Sequence, residues 1–235
     1  MRAVIQAGGK GSRLRPYTLV LPKPLMPVGE YPVIEMLLKW LCRNGIQDVS
    51  ITIGYLGHLI RSLCGDGRQW DMDISYSEEP RPLGTIGPLL LIKEQLAETF
   101  LVLNGDLITD LELRDFIAHH KRQNCLVTIA TTLKDVKVDL GVLDCDNGCV
   151  TSFREKPQLK FRVSMGIYCL EPKILELIPN GVPFGFDDLM YRMLEKNLPV
   201  CTYDHTGQWM DIGREEDFQR AQETFLKNEF AFTGC

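Results

Sequence analysis

Three glycines, Gly8, Gly9 and Gly11, are followed by Arg13, Arg15 and Lys23 in the stretch AGGKGSRLRPYTLVLPKPLMPVG, residues 7–29. Glycines at the end of a strand permit positive φ and let main-chain N–H groups approach an anion closely. Arginine adds a planar fork for phosphate oxygens, and lysine a movable point charge. The glycines alone are equally a tight strand-to-helix turn, and isolated cations are usually solvated. Pro16, Pro22, Pro24 and Pro27 stiffen the segment, however, and an ordered basic loop beside glycines has little structural purpose. The combination points to polyphosphate binding. It is not the dinucleotide fingerprint, because counting from Gly9 the third glycine position is Leu14. Nor is it a Walker loop, since no Gly-Lys-Ser/Thr opens a helix here.

The elements that must carry this loop alternate. RAVIQA, DVSITIG, DISYSEE, TFLVLNGD and CLVTIATT read as strands. YPVIEMLLKWLCRNG, LGHLIRSLCGDG, TIGPLLLIKEQLAE and LELRDFIAHHKRQN read as helices between them. The first helix sets Ile34, Leu37, Leu38 and Leu41 on one stripe and stops at Gly45. This rhythm predicts an α/β, Rossmann-like, doubly wound and mostly parallel sheet in one domain, residues 1–235. Residues 1–138 form its nucleotide-binding part. From 139 the pattern changes to a hairpin turning at Asp146-Asn147-Gly148, then the strand FRVSMGIYCLEP, and 139–185 is a substrate-facing subregion. Helices at 172–178 and 186–197, a strand at PVCTYD and a helix from about 214 to 228 follow. Asp187 and Asp188 read as caps of their helix. Ligands of such sheets bind beyond the carboxyl ends of the strands, and the glycine loop, EEPRPLGTIG and NGD all map to that edge.

Bulk properties limit the partners. With 235 residues and a formal charge of −5, the chain supports a sizeable core and lacks the excess of basic residues needed for sequence-independent nucleic-acid binding. Its longest apolar runs, such as IGPLLLI, fall short of the roughly 20 residues needed to cross a bilayer, and the start is unlike a signal peptide. A cytoplasmic location is expected. The eight cysteines (42, 64, 125, 145, 149, 169, 201, 235) contain no C-x-x-C and read as buried reduced thiols.

GGKGSRLRPYTLVLPKPLMPVG resembles the opening motif of the sugar-1-phosphate nucleotidyltransferases, G-G-x-G-x-R-L-x-P-x-T-x-x-x-P-K-P-L. EEPRPLGTIG, LNGD, LGV, FREKP, SMGIY and WMDIG continue the resemblance in family order. It implies the nucleotide-diphospho-sugar transferase fold and in-line attack of a sugar 1-phosphate oxygen on the α-phosphorus of a nucleoside triphosphate. The products are then a nucleoside-diphosphate sugar and pyrophosphate, and Mg2+ is required. By the same resemblance Arg13 and Lys23 are catalytic. Ala7, Gly8, Gly9, Gly11, Ser12, Arg13, Glu79, Pro80, Gly84 and Thr85 hold the nucleotide. Gly105, Gly141, Glu155, Lys156 and Ser164 hold the sugar phosphate, and Asp106 and Asp211 the metal. Read from the residues alone, Asp106 is equally a turn residue, Asp211 reads as a turn residue too, Thr85 as a helix N-cap, and Glu155-Lys156 more readily as an ordinary exposed hairpin pair than as a ligand pair.

PKPLMPVG is spelled most like guanylyltransferases acting on mannose-like sugars, which favours GTP with a mannose or heptose phosphate. dTTP, UTP and CTP stay open. SMGIY departs from the more familiar N-A-G-I-Y and points to a less common sugar. A non-catalytic nucleotide-sugar sensor is the alternative class. A Rossmann oxidoreductase fails on the missing third glycine. No hexapeptide repeats follow WMDIG, so no C-terminal β-helix is expected, and a homodimer through the sheet edge or residues 140–185 remains open.

Overall fold

The computed structural model describes residues 1–227, and residue 228 of the last expected helix and Cys235 lie outside the described residues. The chain runs β1 (Arg2–Ala7), β2 (Pro27–Val28), β3 (Tyr31–Pro32), α1 (Val33–Arg43), β4 (Asp48–Ile53), α2 (Gly57–Cys64), β5 (Asp73–Glu78), β6 (Phe100–Asn104) and β7 (Leu107–Thr109). It continues with α3 (Leu113–Gln123), β8 (Val127–Lys137), β9 (Val142–Asp146), β10 (Cys149–Arg154), β11 (Gln158–Leu170), α4 (Phe186–Glu195), β12 (Val200–Asp204), β13 (Trp209–Asp211) and α5 (Glu215–Lys227). Seven strands form the central sheet in the order β12-β8-β11-β6-β1-β4-β5. Every neighbouring pair is parallel except those involving β11, which runs antiparallel to both β6 and β8. This is the mostly parallel, doubly wound α/β sheet expected.

Both faces of the sheet are covered, which is why its strands are nearly continuous apolar runs. Along β1, Ala3, Ile5 and Ala7 enter the core under α1, α2 and α3, whereas Val4 points to the other face. There it joins Val102, Tyr168, Leu89, Leu189 and Met193. A third, smaller cluster joins Leu14, Val28, Val33, Ile108 and Ile212 to Ala221 and Phe225 of α5. It matters for function because Leu14 adjoins Arg13 and Ile212 adjoins Asp211. The side chain of Gln222 fastens the same helix to the β2–β3 ribbon, accepting from Gly29 N–H (2.8 Å) and donating to Pro27 O (2.7 Å). Gly29 has φ +60°, and a Cβ there would collide with the Phe225 ring.

Three expectations need correction. Residues 87–95 form a 3-10 run broken at Ile92 (φ −121°, ψ 20°) rather than an α-helix. Pro88 stands at its start and the buried Leu89 and Ile92 are three apart, the spacing that a three-residue turn places on one side. The helix expected at 172–178 is likewise a 3-10 run, Pro172–Leu177. The cysteines are not uniformly buried thiols. Cys64 and Cys169 are buried, but Cys145 and Cys149 are exposed on the β9–β10 hairpin, a two-stranded ribbon outside the main sheet. Cys125 and Cys201 are disulfide-linked, brought together (Cα–Cα 6.2 Å) where β8 and β12 begin side by side. The hairpin turns where expected, with Asn147 at φ 47° and Gly148 at φ 83°, the paired left-handed conformations of a type I′ turn.

Phe116 of α3 is fully buried and meets Tyr203 of β12 edge-on at 5.5 Å. Phe116→Ala is expected to lower unfolding stability by about 3–5 kcal/mol, the range for deleting a core aromatic. A urea titration would show it as a lower midpoint at unchanged slope.

Candidate active site

β1, β4, β5 and β6 end at one edge of the sheet, and the loops leaving β1, β5 and β6 surround a cavity of about 430 Å3. This is the size range of small-molecule sites and the place where open α/β sheets bind ligands. Ala7, Gly8, Gly9, Gly11, Ser12 and Arg13 form one wall, Glu79, Gly84 and Thr85 another, and Gly105, Asp106 and Lys23 the end. Of the nucleotide set expected from sequence, only Pro80 does not line the cavity, and Pro82 does instead. Gln6, Pro24 and Asn104 line it as well. Sequence reasoning missed them, although polar residues closing two apolar strands were a usable signal. Gln6 and Asn104 are register partners across β1 and β6.

Local structure explains each wall. Gly11 sits in the left-handed region (φ 57°), and its carbonyl accepts from Leu14 N–H (2.9 Å) and from the buried Thr18 Oγ1 (2.8 Å). A Cβ at Gly8 would collide with the Glu79 carboxylate, so the two walls meet there. Glu79 Oε2 accepts from Leu83 N–H (2.8 Å). Burial pushes the Glu79 carboxyl pKa upward, and the Leu83 N–H opposes the shift. The loop is then zipped to Phe184: Phe184 N–H donates to Leu83 O (2.8 Å), and Phe184 O accepts from Ile86 and Gly87 N–H. Thr85 is not a cap for its own following turn. Its Oγ1 accepts from Phe186 N–H (2.9 Å) at the start of α4. Asp188 meets its expected capping role by accepting from Gly185 N–H (2.7 Å).

Three charged residues converge at the end of the cavity where Lys23 and Asp106 lie. The Lys23 ammonium contacts Asp106 Oδ2 directly and lies 3.5 Å from Asp211 Oδ1. The Lys23 and Asp106 side chains are 14% and 15% exposed, and Asp211 is 39% exposed. Burial lowers the Lys23 pKa below the usual lysine range, and the Arg13 charge adds to this, while the Asp211 charge opposes it. The two carboxylates are held by backbone. Gly105 N–H donates to Gln6 O (2.9 Å), Ile212 N–H donates to Asp106 O (3.1 Å), and Asp211 is register partner of Leu107 in the β7–β13 ribbon. One oxygen of each, Asp106 Oδ1 and Asp211 Oδ1, is buried without a hydrogen-bond partner.

Two adjacent carboxylates with buried oxygens of this kind are a donor set that a divalent cation can use. Among the described residues no third His, Cys, Asp or Glu joins them. A two-carboxylate site completed by phosphate oxygens and water is the set Mg2+ accepts. The residues therefore fit the metal.

The expected sugar-phosphate residues are divided. Gly105 lines the cavity, while Gly141, Glu155, Lys156 and Ser164 do not. Gly141 and Glu155 are neighbours where the β9–β10 hairpin leaves and rejoins the sheet, since a Cβ on Gly141 would stand 3.4 Å from Glu155 Oε2. Lys156 is exposed beside them. Ser164 lies in β11, where its hydroxyl bonds Tyr168 (3.2 Å) and accepts from Gly166 N–H (3.2 Å). Met165, the other departure from the familiar motif, is fully buried in the core and does not line this cavity.

Gly84 is at φ +80°, and a Cβ there would stand 2.6 Å from Phe184 O, a backbone atom. Gly84→Ala is expected to cost about 1–3 kcal/mol of stability through backbone strain. It should also weaken nucleotide binding by tenfold or more, read by calorimetric titration, because the loop unzips from Phe184.

Residues 2–228 match the family model described as nucleotidyl transferase. The chain is 33% identical over 251 residues to a UTP–glucose-1-phosphate uridylyltransferase of Synechocystis, an alignment covering 97% of this chain and 64% of that protein. It is 34% identical over 234 residues to the mannose-1-phosphate guanylyltransferase catalytic subunit beta of Drosophila melanogaster, covering 97% and 63%. It thus spans under two thirds of the length of these relatives. Among solved structures, HddC from Yersinia pseudotuberculosis superposes with TM-score 0.76 at 28% identity, covering 95% of this chain and 99% of that one, and HddC complexed with GMP-PN gives 0.75. The chain belongs to the nucleotidyl transferase family, with the nucleotide-diphospho-sugar transferase fold of its structural neighbours.

Proposed function

We propose that the chain transfers a nucleotidyl group from GTP to a mannose- or heptose-like sugar 1-phosphate, releasing pyrophosphate. The observation that carries this reading is the buried Lys23 set between Asp106 and Asp211 at the end of a glycine-walled cavity. A nucleotide sensor would need the cavity but not this charged apparatus. The guanine preference is supported by the mannose-1-phosphate guanylyltransferases among the relatives and by the HddC structure with GMP-PN. The uridylyltransferase relative makes UTP the competing donor.

In this reading the base and ribose lie between the glycine loop and residues 79–85, and the triphosphate extends toward Lys23. An oxygen of the sugar phosphate attacks the α-phosphorus. The new P–O bond forms as the bond from that phosphorus to the oxygen bridging the α- and β-phosphates breaks, and pyrophosphate departs with the bonding electrons. Arg13 meets the negative charge gathering on the leaving group, and Lys23 neutralises the α-phosphate so that two anions can approach. The glycine loop and the loop zipped to Phe184 fix the donor so that only one approach is open. Mg2+ bound by Asp106 and Asp211 with phosphate oxygens would supply further charge neutralisation.

Purified protein with Mg2+, GTP and mannose 1-phosphate or a heptose 1-phosphate should release pyrophosphate faster than with UTP, dTTP or CTP. No release with any donor and acceptor pair, together with no nucleotide binding, would remove the proposal. Lys23→Gln should lower kcat by about 10²–10³-fold, the effect of removing one preorganised charge donor. Asp106→Asn should likewise abolish turnover while leaving nucleotide binding measurable, and EDTA should stop the wild-type reaction until Mg2+ is restored.

A further inference from the structure

The β7–β13 ribbon has Asp106 just before its first strand and Asp211 in its second, yet each strand is only three residues long. Two strands paired alone are marginal in water, so a ribbon this short needs fastening from outside. Its end beside the cavity is closed by Ile212 N–H donating to Asp106 O (3.1 Å). At the opposite end Asp110 Oδ1 accepts from Gln208 N–H (2.7 Å) and from His205 Nε2 (2.8 Å). Nε2 carries the proton there, because an ionised carboxylate only accepts. Gln208 O in turn accepts from Asp110 N–H (3.3 Å) and Thr109 Oγ1 (3.0 Å). His205 N–H donates to Thr131 O (2.7 Å), which ties the turn to β8 of the main sheet. Gly207 lets the groups close up, since a Cβ there would collide with Asp110 Oδ1 and the His205 ring. Neither Asp110 nor His205 lines the glycine-walled cavity.

We infer that Asp110 and His205 are positioning residues for metal binding: their clasp on the turn at 205–208 holds β13 so that Asp211 stands beside Asp106. The inference rests on the proposed transferase reading and deepens it. The Asp211 carboxylate has little to hold it, being 39% exposed and 3.5 Å from Lys23 Nζ. Its place is therefore set by the backbone of β13. A constellation of ligands must be held to about 0.5 Å, which three ladder positions do not secure alone. The clasp adds one more pair to the ladder, Asp110 with Gln208, and joins it through His205 to a strand of the seven-stranded sheet. An isolated surface ion pair would contribute little. This one is not isolated, because the same carboxylate oxygen also holds a backbone N–H, and the His205 side chain is only 12% exposed.

The test is an electron paramagnetic resonance titration of Mn2+, which shares the oxygen ligands of Mg2+, into the wild type, D110A, D110N and H205A. It is run with Mn2+ alone and again with GTP present. D110N keeps an oxygen that can accept both hydrogen bonds, and D110A removes it. D110A should bind Mn2+ about tenfold more weakly than the wild type, the scale of losing an outer support of a metal site. D110N should bind like the wild type, and H205A should fall between D110N and D110A. Metal-free GTP affinity, read by calorimetry in EDTA, should be equal in all four proteins. D110A binding Mn2+ like the wild type overturns the inference. So does D110N as weak as D110A, because the loss would then follow the charge rather than the hydrogen bonds. A parallel loss of metal-free GTP affinity in D110A overturns it as well, and so does a wild type that binds no Mn2+ under either condition. Should D110A fail to fold, H205A decides in its place, and Mn2+ binding like that of the wild type overturns the inference. If Mn2+ binding depends on Asp110 as described but no donor and acceptor pair yields pyrophosphate, the transferase reading fails and the clasp stands.

Discussion

A lysine ammonium drawn into a half-closed site between two aspartates is the constraint around which this molecule is organised. Removing Lys23 from water disfavours its charge, and the neighbouring Asp211 carboxylate only partly opposes this. Asp106 keeps one buried oxygen without a hydrogen-bond partner, and Asp211 meets the lysine only at 3.5 Å. In the proposed reaction a triphosphate carrying Mg2+ would bring a cation to the aspartates and an anion to Lys23 and Arg13.

The fold holds that triad from three remote stretches of chain. Asp106 follows the central strand β6, Asp211 sits in β13, and Lys23 lies in the proline-stiffened loop after β1. The hydrogen bond from Ile212 N–H to Asp106 O fixes the carboxylates relative to each other. The small cluster of Leu14, Val28, Ile108, Ile212 and Phe225 then locks the loop, the β7–β13 ribbon and α5 into one body. The geometry of these three side chains therefore depends on a core separate from the two that cover the sheet. Packing defects there should disturb Arg13 and Asp211 before they disturb the strands.

Much of this was legible in the sequence. Strand–helix alternation announced the sheet, because buried parallel strands must be apolar throughout. Asn147-Gly148 announced its hairpin, because few other pairs accept two left-handed residues. The glycine loop, Lys23 and the two aspartates were legible through their ordered motifs. Spacing along the chain could not show what depends on surroundings. The 3-10 run at 87–95 looks helical in composition, yet it packs with three-residue turns. Thr85 looked like a local cap and instead holds α4, about a hundred residues away. Asp110 and His205 lie far apart in the chain, so their contact exists only once the β7–β13 ribbon has paired. The thiols of Cys125 and Cys201 meet only because β12 pairs with the start of β8.

In the proposed reaction the glycine-walled cavity presents the α-phosphorus of a nucleoside triphosphate to a sugar phosphate beside Lys23. Running the reaction in parallel with α-labelled and γ-labelled GTP, a sugar 1-phosphate and Mg2+ tests it most directly. The α-label should end in the nucleotide sugar and the γ-label in pyrophosphate. Label from the γ-position appearing on the sugar, or a GTP pool that stays intact with bound nucleotide, would contradict it.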